Sequence, residues 1–123
     1  MHIKFHNYQR GFVHGVLFEG ITVISATRYA LGIDLLGQLR GDKELQLGEP
    51  GVSVDSVIWK NIIVYSAPAA GLFLCGAGKP SCTNISMVNV NMAACKAGCM
   101  LVGVQGSSTD VEPASCNLKK QYS

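Results

Sequence analysis

The sequence predicts an all-β chain wound as a parallel β-helix, and three observations predict it. An eight-residue pattern occurs three times, as Val16–Val23, Val57–Val64 and Ile85–Met92. Positions one, three, six and eight of each copy are apolar, and position five is Gly20, Asn61 or Asn89. A straight strand keeps strict period two, so the phase flip across positions four and five reads as two short strands meeting at a corner. Glycine and asparagine suit that corner, because both tolerate left-handed backbone. A second element follows each copy: Gly32–Leu35, Gly71–Leu74 and Gly98–Leu101 all read glycine, apolar, variable, leucine. Finally, the two elements recur in the same order each time, and self-similarity of this kind sets the architecture.

Strand, corner, strand, turn and strand make one coil, and side chains of successive coils stack in columns. The expected columns are Val16–Val57–Ile85, Phe18–Trp59–Met87 and Ile33–Leu72–Cys99, with Gly20, Asn61 and Asn89 as a corner ladder. The first repeat interval is longer than the second because it holds Gly37–Gly51, a charged, glycine-rich stretch expected to be an inserted loop. Residues 104–123 are expected to form a C-terminal cap and tail, leaving one domain over residues 1–123. A β-sandwich with three similar hairpins is the alternative fold, and the matched phase flips weigh against it.

Composition narrows the class. An apolar content of 48% with 14 glycines and few charges suits a compact, turn-rich β chain rather than a disordered one. The longest apolar runs, such as Ala67–Cys75, fall short of the roughly 20 residues a membrane-spanning helix needs. A net charge of +2 without a basic, aromatic-laced stripe gives no reason to expect nucleic acid. All five cysteines fall between Cys75 and Cys116, which suggests oxidised staples or a metal site. Zinc is the weaker reading, because there is no CxxC spacing and no histidine nearby; no cofactor is expected. Asn84-Ile85-Ser86 is a candidate glycosylation sequon, which has meaning on a secreted protein. Yet no apolar stretch of signal-peptide type follows Met1–His6.

Ala77–Ser86, followed by Val104–Cys116 with its closing Pro113-Ala114-Ser115-Cys116, resembles the end of the family 28 glycoside hydrolases, the polygalacturonases. The stretch His2-Ile3-Lys4 and then Arg10–Ile21 resembles the part of that family that begins at its Arg-Ile-Lys motif. The likeness runs from about residue 3 to residue 116, and its most specific part is 75–116. It implies a right-handed parallel β-helix, of which this chain is the last three or so coils. It also implies a secreted, monomeric enzyme that hydrolyses α-1,4-galacturonosyl bonds of pectin with inversion, its partner being an acidic polysaccharide. Lys4 matches the family lysine that contacts a substrate carboxylate, and His2 stands where the family has arginine. Histidine lacks the bidentate fork of arginine and is mostly neutral above its ordinary pKa of about 6.5. Where the family has a substrate-contacting tyrosine, after Ile33-Asp34, this chain has Leu35-Leu36-Gly37.

The family motifs that hold the acid, the base and the assisting histidine (Asn-Thr-Asp, Asp-Asp and Gly-His-Gly) are missing, and His14-Gly15 does not replace the last of them. His14 reads instead as a surface residue on a strand flank. Inverting hydrolysis needs two carboxyl groups about 6.5–9.5 Å apart. Asp34, Asp42, Asp55 and Asp110 and the four glutamates offer no adjacent or stacked pair in the sequence. No catalytic residue is therefore assigned, and residues 1–123 are expected to be inactive alone, as the C-terminal piece of a longer enzyme. With Val16, Phe18 and Ile21 exposed on an unpaired edge, the first coil would lack a cap. Cys75 is expected to pair with Cys82 across a glycine- and proline-containing loop, and Cys116 with Cys99 or Cys95, Cys99 being preferred. The readings kept open are a rhamnogalacturonan hydrolase and, from another class, a non-catalytic β-solenoid that binds acidic polysaccharide.

Overall fold

The computed structural model describes residues 1–4, 11–35, 52–76 and 81–119. Its strands are β1 (His2–Lys4), β2 (Gly11–Val23), β3 (Tyr29–Asp34), β4 (Val52–Val64), β5 (Ala69–Leu74), β6 (Cys82–Asn91), β7 (Ala97–Val102) and β8 (Val104–Glu112), followed by a 3-10 turn at Ala114–Cys116. The odd-numbered strands form one four-stranded sheet, in the order β1-β3-β5-β7, and the even-numbered strands another, β2-β4-β6-β8. Every pairing in both sheets is parallel. The fold is all-β, and the chain alternates between the two sheets. Gly37–Gly51 lies outside the described residues.

The repeat predicts the register of the even sheet. Val16, Val57 and Ile85 pair in turn, as do Phe18, Trp59 and Met87. Position five is the left-handed corner in each copy, with φ of 65° at Gly20, 55° at Asn61 and 53° at Asn89. Asn89 Nδ2 donates to Asn61 Oδ1 at 3.0 Å, so the ladder is hydrogen-bonded as well as stacked. Valine at Asn61 would place a β-branched residue in left-handed backbone and break that bond. Asn61→Val is expected to cost about 2 kcal/mol and Asn61→Gly far less, read as the shift of a urea-unfolding midpoint. Equal midpoints for the two variants would show that the corner does not depend on backbone conformation.

Two features go beyond the repeat. Each long strand bends a second time, five residues before the first corner, where Gly15 (φ 76°), Ser56 (φ 58°) and Asn84 (φ 52°) are again left-handed. There Asn84 Nδ2 donates to Ser56 Oγ at 2.9 Å. Val104–Glu112, assigned to the cap from sequence, is a fourth strand paired in parallel with β6. It carries its own corner at Asp110 (φ 54°). The repeat is hidden there because Gly106, Ser107, Ser108 and Thr109 occupy the positions that are mainly apolar in the other copies. The chain's closure begins only at Pro113: Leu118 N–H donates to Ser108 Oγ at 2.8 Å and Gly106 N–H to the Lys119 carbonyl at 2.8 Å.

The odd sheet corrects one expected column. Ile33 pairs with Phe73 and then Leu101, not with Leu72 and Cys99; Leu72 lies between Gly32 and Met100, and Cys99 opposite Gly71. A one-residue slip sends each side chain to the other face, and packing decides which register holds. In the observed register Ile33 and Phe73 are fully buried and Met100 is left outside. Aligning the glycines is misleading because Gly71 faces Cys99, whose sulfur would lie 2.7 Å from a Cβ at that position.

The core lies between the sheets. Trp59, from the even sheet, stacks on Phe18 (centroids 5.5 Å apart, planes at 12°) and meets Phe73 of the odd sheet edge-on (5.7 Å, 83°). Val54, Val57, Ile85, Met87 and Val90 fill the neighbouring inward positions.

Candidate functional site

The side chains singled out for substrate binding lie on β1. Alternation along the strand turns Ile3 toward the core and leaves His2 and Lys4 exposed on one face. They pair in register with Gly32 and Asp34 of β3. The His2 ring lies 5.4 Å from the Tyr29 ring, tilted at 54°. Burial holds the His2 pKa below its ordinary value, reinforced by the α-ammonium of Met1 and by Lys4 and opposed by Asp34. His2 is therefore neutral at neutral pH and offers a hydrogen-bonding ring, while Lys4 offers a charge. Met1 anchors the strand through its α-amino group, which donates to the Ala30 carbonyl at 3.0 Å.

On the neighbouring strand β3 the environment is closed. Asp34 is fully buried. Burial, and then the Asp34 charge, push the Tyr29 phenol up to about 12, and its hydroxyl is buried without a hydrogen-bond partner. Leu35, at the family's tyrosine position, is also buried; Leu36 and Gly37 lie outside the described residues.

The structure adds a polar network that the sequence reading missed. His14 Nδ1 and Asp55 Oδ1 are hydrogen-bonded across β2 and β4, beside the Gly15–Ser56 bend. His14 is on the surface, as read from sequence, but it has a partner. The Val16–Val57 column was the available signal, because the same register places His14 opposite Asp55. The His14 hydrogen bond, and then that of Ser56, hold the Asp55 carboxyl below its ordinary value of 3.8. A depressed folded value means that this link stabilises the fold above the ordinary carboxylate range and is lost as pH falls through the folded pKa. His14→Ala is expected to return the Asp55 pKa toward 3.8, measured by carboxyl chemical shift against pH. An unchanged titration would rule out the link in solution.

Asn84 is exposed, but its amide nitrogen is the atom bonded to Ser56, and Ser86 Oγ shares a 3.3 Å hydrogen bond with Ser107 Oγ. Both polar side chains of the sequon thus take part in cross-strand contacts. Disulfides join Cys75 to Cys82 and Cys99 to Cys116, whereas Cys95 is a half-buried free thiol whose pKa burial raises. Disulfides of this kind belong to oxidising compartments. No cluster of three metal-binding side chains occurs among the described residues.

Two open clefts lie between β6 and β8, one at each bend. One, of about 340 Å³, is lined by Thr83, Asn84, Ile85, Gln105, Gly106 and Ser107. The other, of about 310 Å³, brings Asp110 and Glu112 together with Asn89 and Asn91. Asp110 and Glu112 stand two positions apart on β8, and reading that segment as cap left them out of the search for a carboxylate pair. Amide, hydroxyl and carboxylate groups of this kind can exchange hydrogen bonds with the hydroxyls of a saccharide. These clefts belong to the last two strands of the even sheet, whereas His2 and Lys4 belong to the first strand of the odd sheet.

Comparison of the chain with family models, curated proteins and solved structures gave no match.

Proposed function

We propose that residues 1–123 form the C-terminal coils of a right-handed parallel β-helix of the family 28 glycoside hydrolase type, secreted and acting on pectin. The alternation of the chain between two parallel sheets supports the helix. Pro113-Ala114-Ser115-Cys116 and the two disulfides support the family and the extracellular setting. The observation that carries the functional reading is the exposed pair His2 and Lys4 on one face of β1. Lys4 attracts a uronate carboxylate, and neutral His2 hydrogen-bonds beside it. These residues bind and orient substrate rather than cleave it. Asp34 is buried, and Asp55 is hydrogen-bonded to His14.

The polar clefts along β6 and β8 favour a second reading, a non-catalytic module that holds a polysaccharide through its hydroxyl groups. In the first reading the purified chain binds oligogalacturonate in a salt-sensitive way and Lys4→Ala weakens binding about threefold to tenfold; in the second, binding is indifferent to Lys4→Ala; in both, the chain releases no reducing ends from polygalacturonate. Sugar release that disappears in Asp110→Asn or Glu112→Gln would move catalysis into this chain and overturn both. An unchanged affinity for Lys4→Ala would remove β1 from the site.

A further inference from the structure

One of the two bends that cross the even sheet stops short of β8. Gly15, Ser56 and Asn84 are left-handed on β2, β4 and β6, whereas on β8 the left-handed residue is Asp110, at the other corner. Cys82 pairs with Val104 and Ile85 with Gly106, so Thr83 and Asn84 stand against Gln105 alone. A bulge of this kind disrupts the ladder and bends the strand that carries it. The cleft of about 340 Å³ lies at this point, with Thr83 and Asn84 on one strand and Gln105 and Ser107 on the other.

Asn84 is also the acceptor of the sole Asn-X-Ser/Thr sequon in the sequence, with Ile85 between it and Ser86. At the other bend, Asn61 and Asn89 are followed two residues later by Ile63 and Asn91, which supply no hydroxyl. One residue thus provides both an acceptor amide and a wall of the cleft.

We infer that the cleft at Asn84 seats an N-linked glycan that the protein carries on Asn84 itself, in place of an external saccharide. The hydrogen bonding of Asn84 is compatible with that load. A carboxamide nitrogen carries two protons, and the bond to Ser56 Oγ uses one. The donor in a secretory pathway is a lipid-linked diphospho-oligosaccharide, which acts on the chain before it folds. A bond forms from Nδ2 to the anomeric carbon, the bond from that carbon to the diphosphate oxygen breaks, and one Nδ2 proton is lost. The N–H that remains is enough to donate to Ser56 Oγ once the bend forms. Asn84 is exposed, so the sugars beyond the first extend into solvent, as a bulky surface modification must. The hydroxyls of Thr83 and Ser107 line the cleft and suit the hydroxyl and acetamido groups of the first sugar.

This inference rests on the secreted setting proposed above and narrows the second reading. It withdraws one cleft from an external polysaccharide and leaves the cleft at Asp110 and Glu112. It does not depend on the pectin chemistry, because binding of oligogalacturonate at Lys4 reports nothing about Asn84.

The test directs the full chain through a eukaryotic secretory pathway behind a cleavable leader. Intact mass is read on secreted and retained chain alike, so poor secretion does not hide the result. The expected result is a glycan on Asn84 that is lost in Ser86→Ala and kept in Ser86→Thr; neither variant changes the residue at the bend. In the isotope-labelled glycoprotein the first sugar should give nuclear Overhauser contacts to Thr83 and Ser107. A chain without a glycan, a glycan that persists in Ser86→Ala, or a first sugar without contact to either residue overturns the inference. Failure of the chain to bind oligogalacturonate leaves each of these outcomes unchanged.

Discussion

Trp59→Ala is expected to cost about 3–5 kcal/mol, a large share of the 5–15 kcal/mol that typically holds a domain together. Trp59 is fully buried and is the side chain through which the two sheets meet, stacked on Phe18 and edge-on to Phe73. Alanine leaves a cavity that two parallel sheets, each locked by its own register, cannot close by sliding. Trp59→Phe should cost much less, for a reason the structure supplies. The indole Nε1 is buried without a hydrogen-bond partner, so phenylalanine removes an unsatisfied donor along with some volume. Urea unfolding monitored by far-ultraviolet circular dichroism checks both. Similar losses for the two variants would mean that the indole ring makes a polar contact in solution.

Removal of the Cys99–Cys116 bridge, as Cys99→Ser with Cys116→Ser, is expected to cost about 3 kcal/mol. The estimate comes from the closure entropy of a loop whose ends are 17 residues apart. The consequence is local as well as global. The bridge holds the turn that covers β7, and that turn leads into the tail whose Leu118 and Lys119 close the even sheet. Exchange at Cys99 and Gly106 should therefore quicken before exchange at Trp59 or Ile62. Gly98 belongs to the same closure, since a Cβ there would fall 2.0 Å from Ser115 Oγ. Uniform quickening across the chain would show that the cap is not a separable unit.

What could be read in the sequence follows from which side chains report their own geometry. The corner at Gly20, Asn61 and Asn89 was legible because the apolar phase flips around it and left-handed backbone narrows the residue choice. The bend at Gly15, Ser56 and Asn84 was not. Serine is an ordinary strand-surface residue, and Val13–Gly15 and Val54–Ser56 lie outside the eight-residue window. The odd sheet was legible as an element but not in register, since glycine was used as the landmark while the buried partners Ile33 and Phe73 set the pairing. β8 was concealed by its polar inward positions, with Ser108 spent on receiving the tail. The acidic cleft at Asp110 and Glu112 was concealed with it. His2 and Lys4 were found through a motif resemblance; the structure places them on one exposed face, and their role in binding remains the proposal.

The most direct measurement is a titration of the isotope-labelled chain with oligogalacturonate, followed residue by residue by NMR. The account predicts saturable shifts at Lys4, His2 and the neighbouring Tyr29, weakened by salt and by Lys4→Ala, with the oligosaccharide intact at the end. Shifts confined to the β6–β8 clefts, no saturable shifts at all, or cleavage of the ligand would contradict it.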